Sequence, residues 1–87
     1  MVMYKITLKK KASKELLKLP SMMIPKVASC IDSLSDNPRP EGSKKLKGSD
    51  KDIWRVGVGN YRVVYLIEDE VKIVNIRKVG HRRDVYK

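Results

Sequence analysis

The fold is decided by residues 54–87, which read WRVGVGNYRVVYLIEDEVKIVNIRKVGHRRDVYK. Valine, isoleucine and tyrosine are dense in this stretch, and Gly59-Asn60 is a strong signal for a tight hairpin turn. With the residue before it, the stretch predicts strands at 53–58, 61–67 and 71–79. Because the connections between these strands are short, neighbouring strands are antiparallel.

The N-terminal half predicts one further strand and two helices. Apolar residues alternate with lysine and threonine over 4–9, which is the period of a half-buried strand. Apolar residues then recur at helical spacing over 11–19 and 24–34, and Pro20 ends the first helix. Two prolines and a glycine make 35–43 a surface loop. The two helices therefore form a hairpin between the first strand and the others.

These elements predict a single α+β domain over 1–87. Its order is an N-terminal strand, a helical hairpin and then three to four antiparallel strands, all in one sheet with the helices packed on one face. A chain of this length has little room for a second core. The second helix has two possible starts, because Ser21 is a good capping residue whereas Pro25 is favourable only in the first helical turn.

The charge of the chain points to a polyanionic partner. Lys and Arg number 20 against 10 Asp and Glu, which gives a net charge of +10. That excess predicts fast, salt-sensitive association with polyanions. The competing interpretation is a basic surface that serves only solubility.

Cysteine and histidine usage argues against a metal site. The single Cys30 cannot form an internal disulfide and is typical of a protein of the reducing cytoplasm. With one Cys and one His, a Cys/His zinc site within one chain is implausible, so we expect metal-independent chemistry and no cofactor. No apolar run approaches the roughly 20 residues of a membrane span, and no signal peptide opens the chain, so we expect no membrane association.

Two arginines on neighbouring strands indicate an anion site. If the hairpin pairs about Gly59-Asn60, Arg55 and Arg62 lie close together across it. Two like charges that close repel each other unless an anion lies between them, and the arginine fork suits a phosphate. The alternative is that each arginine pairs with a carboxylate of Asp50, Asp52 or the 68–70 turn.

The C-terminal residues add further basic and aromatic groups. Val85 and Tyr86 predict a β-like element that folds back onto the sheet and carries Arg82 inward. His81 alone is more often structural than catalytic, and Asp84 is explained by pairing with a neighbouring arginine.

The segments WRVGVGNYRVVY and VGHRRDVY, preceded by KKLKG, together resemble the RelE/ParE superfamily of toxins, nearer its RelE branch. The resemblance covers essentially the whole chain. It implies a metal-independent endoribonuclease that cleaves mRNA in the ribosomal A site, and a cognate antitoxin that wraps and neutralises the toxin. It also implies that the toxin–antitoxin complex binds operator DNA through the antitoxin.

Eight residues are expected at the site, six of them through the resemblance. The implied catalytic residues are Arg62, Arg82, Tyr86 and Arg55, and the implied RNA-binding residues are Lys45 and Lys47. The basic C-terminal segment adds His81 and Arg83 as expected RNA-binding residues. In this mechanism the RNA 2′-hydroxyl attacks the adjacent phosphate, and arginines stabilise the charge of the phosphorane. Tyr86 acts as the base if neighbouring arginines lower its pKa from roughly 10, or it stacks on a nucleobase.

One position departs from the family pattern. The family often has a second basic residue two positions after the one matched by Arg55, and here that position is Gly57. The departure keeps open a ParE-like inhibitor of DNA gyrase, which shares the fold and lacks the nuclease residues. A third hypothesis is a basic RNA-binding module without catalytic activity.

Overall fold

The computed structural model describes residues 3–48 and 50–85. In chain order the elements are β1 Lys5–Leu8, α1 Lys10–Leu17, α2 Ile24–Ser33, β2 Lys44–Lys45, β3 Ile53–Val58, β4 Tyr61–Glu68, β5 Ile73–His81 and α3 Arg82–Val85. The predicted α+β class, with its N-terminal strand, helical hairpin and C-terminal strands, is confirmed. Within the described residues no helix is long and apolar enough to cross a membrane.

The strands form one mixed sheet in the order β1-β5-β4-β3-β2. Each neighbouring pair from β2 to β5 is antiparallel, in agreement with the predicted three to four antiparallel strands. In contrast, β1 runs parallel to β5, with Lys5 opposite Ile73. A parallel neighbour needs a long crossover connection, and the chain between β1 and β5 contains both long helices.

The hairpin between β3 and β4 forms at the predicted turn. Val58 pairs with Tyr61, so Gly59 and Asn60 are its two loop residues. Gly59 has φ +60°, a conformation that costs glycine little and other residues more. Between β4 and β5 the register shifts after Val64, and this irregularity bends the strands locally.

The helices cover one face of the sheet. Their buried residues and those of the strands form one core, which comprises Ala12, Val27, Ile31, Leu34, Val56, Val63, Tyr65, Ile67, Val74, Ile76 and Val79. The alternation along β4 places Val63 and Tyr65 in this core and turns Arg62 and Val64 to the opposite face. The residues of that opposite face are therefore available for binding.

The helix ends differ in detail from the sequence expectation. The first helix ends at Leu17, before Pro20. The second begins at Ile24 with Pro25 in its first turn, and Met23, rather than Ser21, is its N-cap residue. Of the two possible starts, the structure therefore adopts the one set by the proline.

The prediction of a β-like C-terminal element is wrong for the described residues. Residues 82–85 form one helical turn, and the Arg82 side chain is exposed rather than turned inward. The last cross-strand pair of β5 joins His81 to Tyr61, the first residue of β4. Beyond His81 the chain therefore has no residue of β4 to pair with. The turn does lie against β4 and β5, and the Arg82 amide donates to the carbonyl of Asn60 at 2.8 Å. Tyr86 lies outside the described residues.

Candidate nucleic-acid interface

A row of cationic side chains crosses the face of the sheet opposite the helices. Lys44 of β2 pairs with Arg55 of β3, Arg55 pairs with Val64 of β4, and Val64 pairs with Lys78 of β5. Directly opposed residues in antiparallel strands project from the same face, so these side chains are neighbours. The register of four strands therefore concentrates positive charge in one line.

The next row of the same face centres on Arg62. Its partners are Gly57 on β3 and Gly80 on β5. Arg62 thus lies between two residues that have no side chain, diagonally across from Arg55. The predicted proximity of Arg55 and Arg62 is confirmed.

The two rows border a cavity of about 330 Å³. Its lining residues are Glu41, Gly42, Lys44, Arg55, Val56, Gly57 and Arg62. A volume at the lower end of the range for ligand pockets suits a group of the size of a nucleotide. Three of the lining residues are cations and one, Glu41, is an anion, so the cavity has an excess of positive charge, which favours a phosphodiester.

The loop before β2 supplies one wall of the cavity through a tight turn. The Ser43 amide donates to the Pro40 carbonyl at 3.0 Å, and Gly42 at the third position has φ +91°. This is the backbone of a type II turn, whose third residue favours glycine. The turn places Glu41 and Gly42 beside the strand arginines.

Two of the acidic residues named as alternative partners of the strand arginines, Asp52 and Asp69, contact a different arginine, Arg39. Arg39 Nη2 lies 2.5 Å from Asp52 Oδ2 and 2.9 Å from Asp69 Oδ2. Trp54 Nε1 also donates to Asp52 at 2.6 Å. Asp52 and Asp69 are therefore paired with Arg39. Nothing in the pattern of the loop sequence shows which strands Arg39 reaches, so its contacts are apparent only in the structure.

These ion pairs perturb the acids that they involve. The Arg39 guanidinium, with a smaller contribution from the Tyr4 hydroxyl, lowers the pKa of Asp69 to about 2. Burial acts to raise the pKa of Asp52, but hydrogen bonds from Trp54 and Arg39 outweigh it and lower that pKa. Both carboxylates are therefore charged at neutral pH and hold Arg39 in place.

The predicted RNA-binding lysines do not line the cavity. Lys45 lies opposite Trp54, on the helix-covered face, with Nζ 3.6 Å from Asp52 Oδ1. Lys47 is exposed in the loop that follows β2. Lys44, which the resemblance did not assign, lines the cavity instead. Only the pairing register of this two-residue strand distinguishes neighbouring lysines that look equivalent in the sequence.

The residues at the end of β5 lie beside the hairpin turn. The His81 ring meets the Tyr61 ring edge-on, with centroids 5.5 Å apart, and its Nδ1 accepts the Arg83 amide at 3.2 Å. The side chains of Arg82 and Arg83 are exposed. Of the predicted catalytic set, the structure thus brings Arg55 and Arg62 together and leaves Arg82 at the nearby end of the sheet.

No group of three or more His, Cys, Asp or Glu side chains arranged to hold a metal ion occurs within residues 3–48 and 50–85. Cys30 is half-buried in α2, and burial raises the pKa of its thiol.

Comparison with known proteins gives matches along nearly the whole chain. The family described as "ParE toxin of type II toxin-antitoxin system, parDE" matches residues 6–86. A RelE1 toxin candidate of Methanocaldococcus jannaschii is 34% identical over 87 residues, which cover 97% of this chain and 96% of the relative.

Solved structures of toxin–antitoxin complexes are also similar to nearly the whole chain. The RelBE2 toxin–antitoxin complex of Mycobacterium tuberculosis contains a chain with TM-score 0.82 and 32% identity, with 97% of each chain covered. The archaeal RelE–RelB complex of Pyrococcus horikoshii contains one with TM-score 0.83 and 28% identity, covering 95% of this chain and 99% of that one. Both similarities include the strands that carry Arg55 and Arg62.

Proposed function

This chain belongs to the RelE/ParE superfamily of toxins of type II toxin–antitoxin systems, and we propose that it acts as a metal-independent endoribonuclease that cleaves mRNA in the ribosomal A site. The observation that carries the proposal is the cavity on the open sheet face, where Arg55, Arg62 and Lys44 converge. The names of the relatives at 28–34% identity, which are RelE or RelBE, also support the nuclease hypothesis over a ParE-like activity.

The cavity offers electrostatic stabilisation of a transition state. Attack of the 2′-hydroxyl on the adjacent phosphate forms a phosphorane with additional negative charge and leaves a 2′,3′-cyclic phosphate and a 5′-hydroxyl. Arg62 and Arg55 donate to the phosphate oxygens, and Lys44 adds a third positive charge. Arginine has a pKa above about 12, so these arginines stabilise charge rather than transfer protons.

Proton transfer is assigned to the C-terminal residues. We place Tyr86 as the base that takes the proton of the 2′-hydroxyl, or as a stacking partner of the nucleobase, and Arg82 as a further donor to the phosphorane. The leaving 5′-oxygen takes its proton from water. Arg82 follows β5 directly and is fixed beside the hairpin turn through its amide. A site with such weak acid–base groups gains much from a substrate held in an attack-ready geometry, which is what the ribosome supplies.

A cognate antitoxin is the proposed partner. The M. tuberculosis and P. horikoshii relatives were each solved together with their antitoxin. We propose that an antitoxin encoded beside this toxin wraps it and covers the basic cavity. By the same proposal the complex binds operator DNA through the antitoxin.

Cleavage of mRNA on purified ribosomes tests the proposed activity. The wild-type protein should produce defined 3′ ends in the A-site codon, mapped by primer extension, whereas Arg62→Ala should produce them about 10²–10³-fold more slowly. Lys26→Ala is the matched control, because Lys26 is exposed on α2 at the other face of the sheet and its loss removes the same charge. Intact mRNA with wild-type protein would contradict the nuclease assignment.

A ParE-like activity is the second candidate. Two observations favour it: the matching family is described as ParE, and Gly57 occupies a position that is often basic in RelE-like nucleases. This candidate predicts inhibition of gyrase supercoiling and double-strand breaks with mRNA intact. RNA binding with neither activity would identify the third hypothesis, a module that only binds RNA.

A further inference from the structure

Arg62 occupies the space that a side chain at position 57 would fill. Gly57 and Arg62 are directly opposed across the β3–β4 ladder. A Cβ atom built on Gly57 would lie 2.6 Å from Nη1 of Arg62, 3.2 Å from its Cζ and 3.7 Å from its Nε. Contacts below 3.0 Å do not occur between real Cβ atoms and their neighbours, so the guanidinium lies directly on the β3 backbone.

The backbone at position 57 does not itself require glycine. Positive φ values occur at Gly42, Gly48 and Gly59, but not at Gly57. The three heavy atoms nearest to the built Cβ all belong to Arg62. A side chain at position 57 would therefore be opposed chiefly by this arginine rather than by the fold.

Packing, rather than hydrogen bonding, holds the guanidinium in this position. Nη1 donates to the carbonyl of its own neighbour Tyr61 at 3.3 Å, which is long for such a bond. Nε is fully buried and has no hydrogen-bond acceptor within the described part of the chain. The absence of a side chain at Gly57 thus leaves open the volume that the Arg62 guanidinium occupies at the cavity wall.

We propose that Gly57 is a positioning residue, which holds the Arg62 guanidinium against β3 and inside the cavity so that it meets the scissile phosphate in a preset orientation. This inference rests on the proposed nuclease function. The proposal also explains the departure from the family pattern. The volume that a side chain at position 57 would occupy holds the positively charged guanidinium of Arg62. A Cβ atom at position 57 would displace the Arg62 guanidinium from this place on β3.

The first test is a double-mutant cycle of Gly57→Ala and Arg62→Ala in ribosome-dependent cleavage. Gly57→Ala should lower kcat by about 10- to 100-fold and change KM little. Complete loss of a preorganised donor costs about 10²–10³-fold in rate, and here the donor is displaced rather than removed. In the Arg62→Ala background, Gly57→Ala should have no further effect. An equal additional loss in both backgrounds would overturn the proposal. Thermal unfolding of each variant shows whether a lost activity reflects lost folding.

The second test does not require catalysis. The Hε proton of Arg62 should exchange slowly with water in the wild-type protein, since Nε is buried, and at least tenfold faster in Gly57→Ala, as measured by NMR on arginine-labelled protein. Equal exchange rates in two folded proteins would overturn the positioning role. If the wild-type protein cleaves no mRNA, the proposed function fails, and this measurement still decides the role of Gly57.

Discussion

Arg39 donates to Asp69 at 2.9 Å and so ties the loop after α2 to the turn between β4 and β5. The same guanidinium lies 2.5 Å from Asp52, just before β3, and 5.5 Å from the ring centroid of Trp54. Two residues further along, Glu41 begins the stretch of this loop that lines the basic cavity. The ion pairs therefore hold a cavity wall in place from outside the cavity.

Arg39→Ala should make this wall of the cavity less stable. Because the three side chains are about 27–49% exposed, each ion pair contributes little, and the free energy of unfolding should fall by only about 1 kcal/mol. RNA affinity should also fall, although Arg39 does not line the cavity. Urea unfolding and fluorescence anisotropy with a short RNA measure both effects. Lys26→Ala removes the same charge from α2, and equal RNA affinities of the two variants would contradict the role of the loop.

The Asp69 carboxyl should make stability depend on pH in the acid range. Its pKa in the folded protein is about 2, below the value of about 3.9 for an unfolded chain. Its contribution is therefore fully present above about pH 4 and is lost as the pH falls towards 2. Urea unfolding between pH 6 and pH 2 should show a smaller pH dependence in Asp69→Asn than in the wild-type protein. Asp36→Asn, at an exposed loop position, should retain the wild-type dependence.

Tyr65→Phe should destabilise the core. Tyr65 is fully buried, and its hydroxyl donates to the Pro38 carbonyl at 2.8 Å. Burial raises the pKa of this hydroxyl to about 12, so it remains a donor at neutral pH. Its loss leaves a buried carbonyl without a donor, which should cost about 1–3 kcal/mol in chemical unfolding. Tyr61→Phe serves as the control, since its edge-on ring contact does not involve the hydroxyl; an equal cost there would contradict the prediction.

The two adjacent lysines of β2 should behave differently. Lys44 lines the cavity, whereas Lys45 projects from the other face towards Asp52. Lys44→Ala should therefore weaken RNA binding and reduce the slope of log K against log salt by about 0.7, the value for one single-stranded phosphate contact. Lys45→Ala should leave this slope nearly unchanged. The reverse order would show that the RNA lies over the opposite face.

Arg62→Ala and Arg82→Ala should each abolish growth arrest when the toxin is expressed without its antitoxin. Both variants should fold, because Arg62 faces away from the core and Arg82 is exposed. Circular dichroism melts confirm folding, and colony counts after induction measure toxicity. Undiminished toxicity of both variants would remove these residues from the mechanism.

The pattern of residues close together in the sequence was sufficient to predict much of the architecture. The sequence by itself determined the order of the main strands and the two long helices, and the hairpin turn at Gly59-Asn60. These features depend on residues close together in the chain, where periodicity and turn preference act directly. The closeness of Arg55 and Arg62 followed from them, because a two-residue turn leaves one strand register.

Only the tertiary structure decided what depends on distant segments. Three features depend on parts of the chain that no local pattern relates. They are the parallel pairing of β1 with β5, the position of Lys44 rather than Lys45 at the cavity, and the ion pair of Arg39 with Asp69. The contact of Arg62 with Gly57 is of the same kind, because the sequence shows a missing side chain but not what fills its volume. The physical reason is that packing and charge pairing act through space, after the chain has brought these groups together.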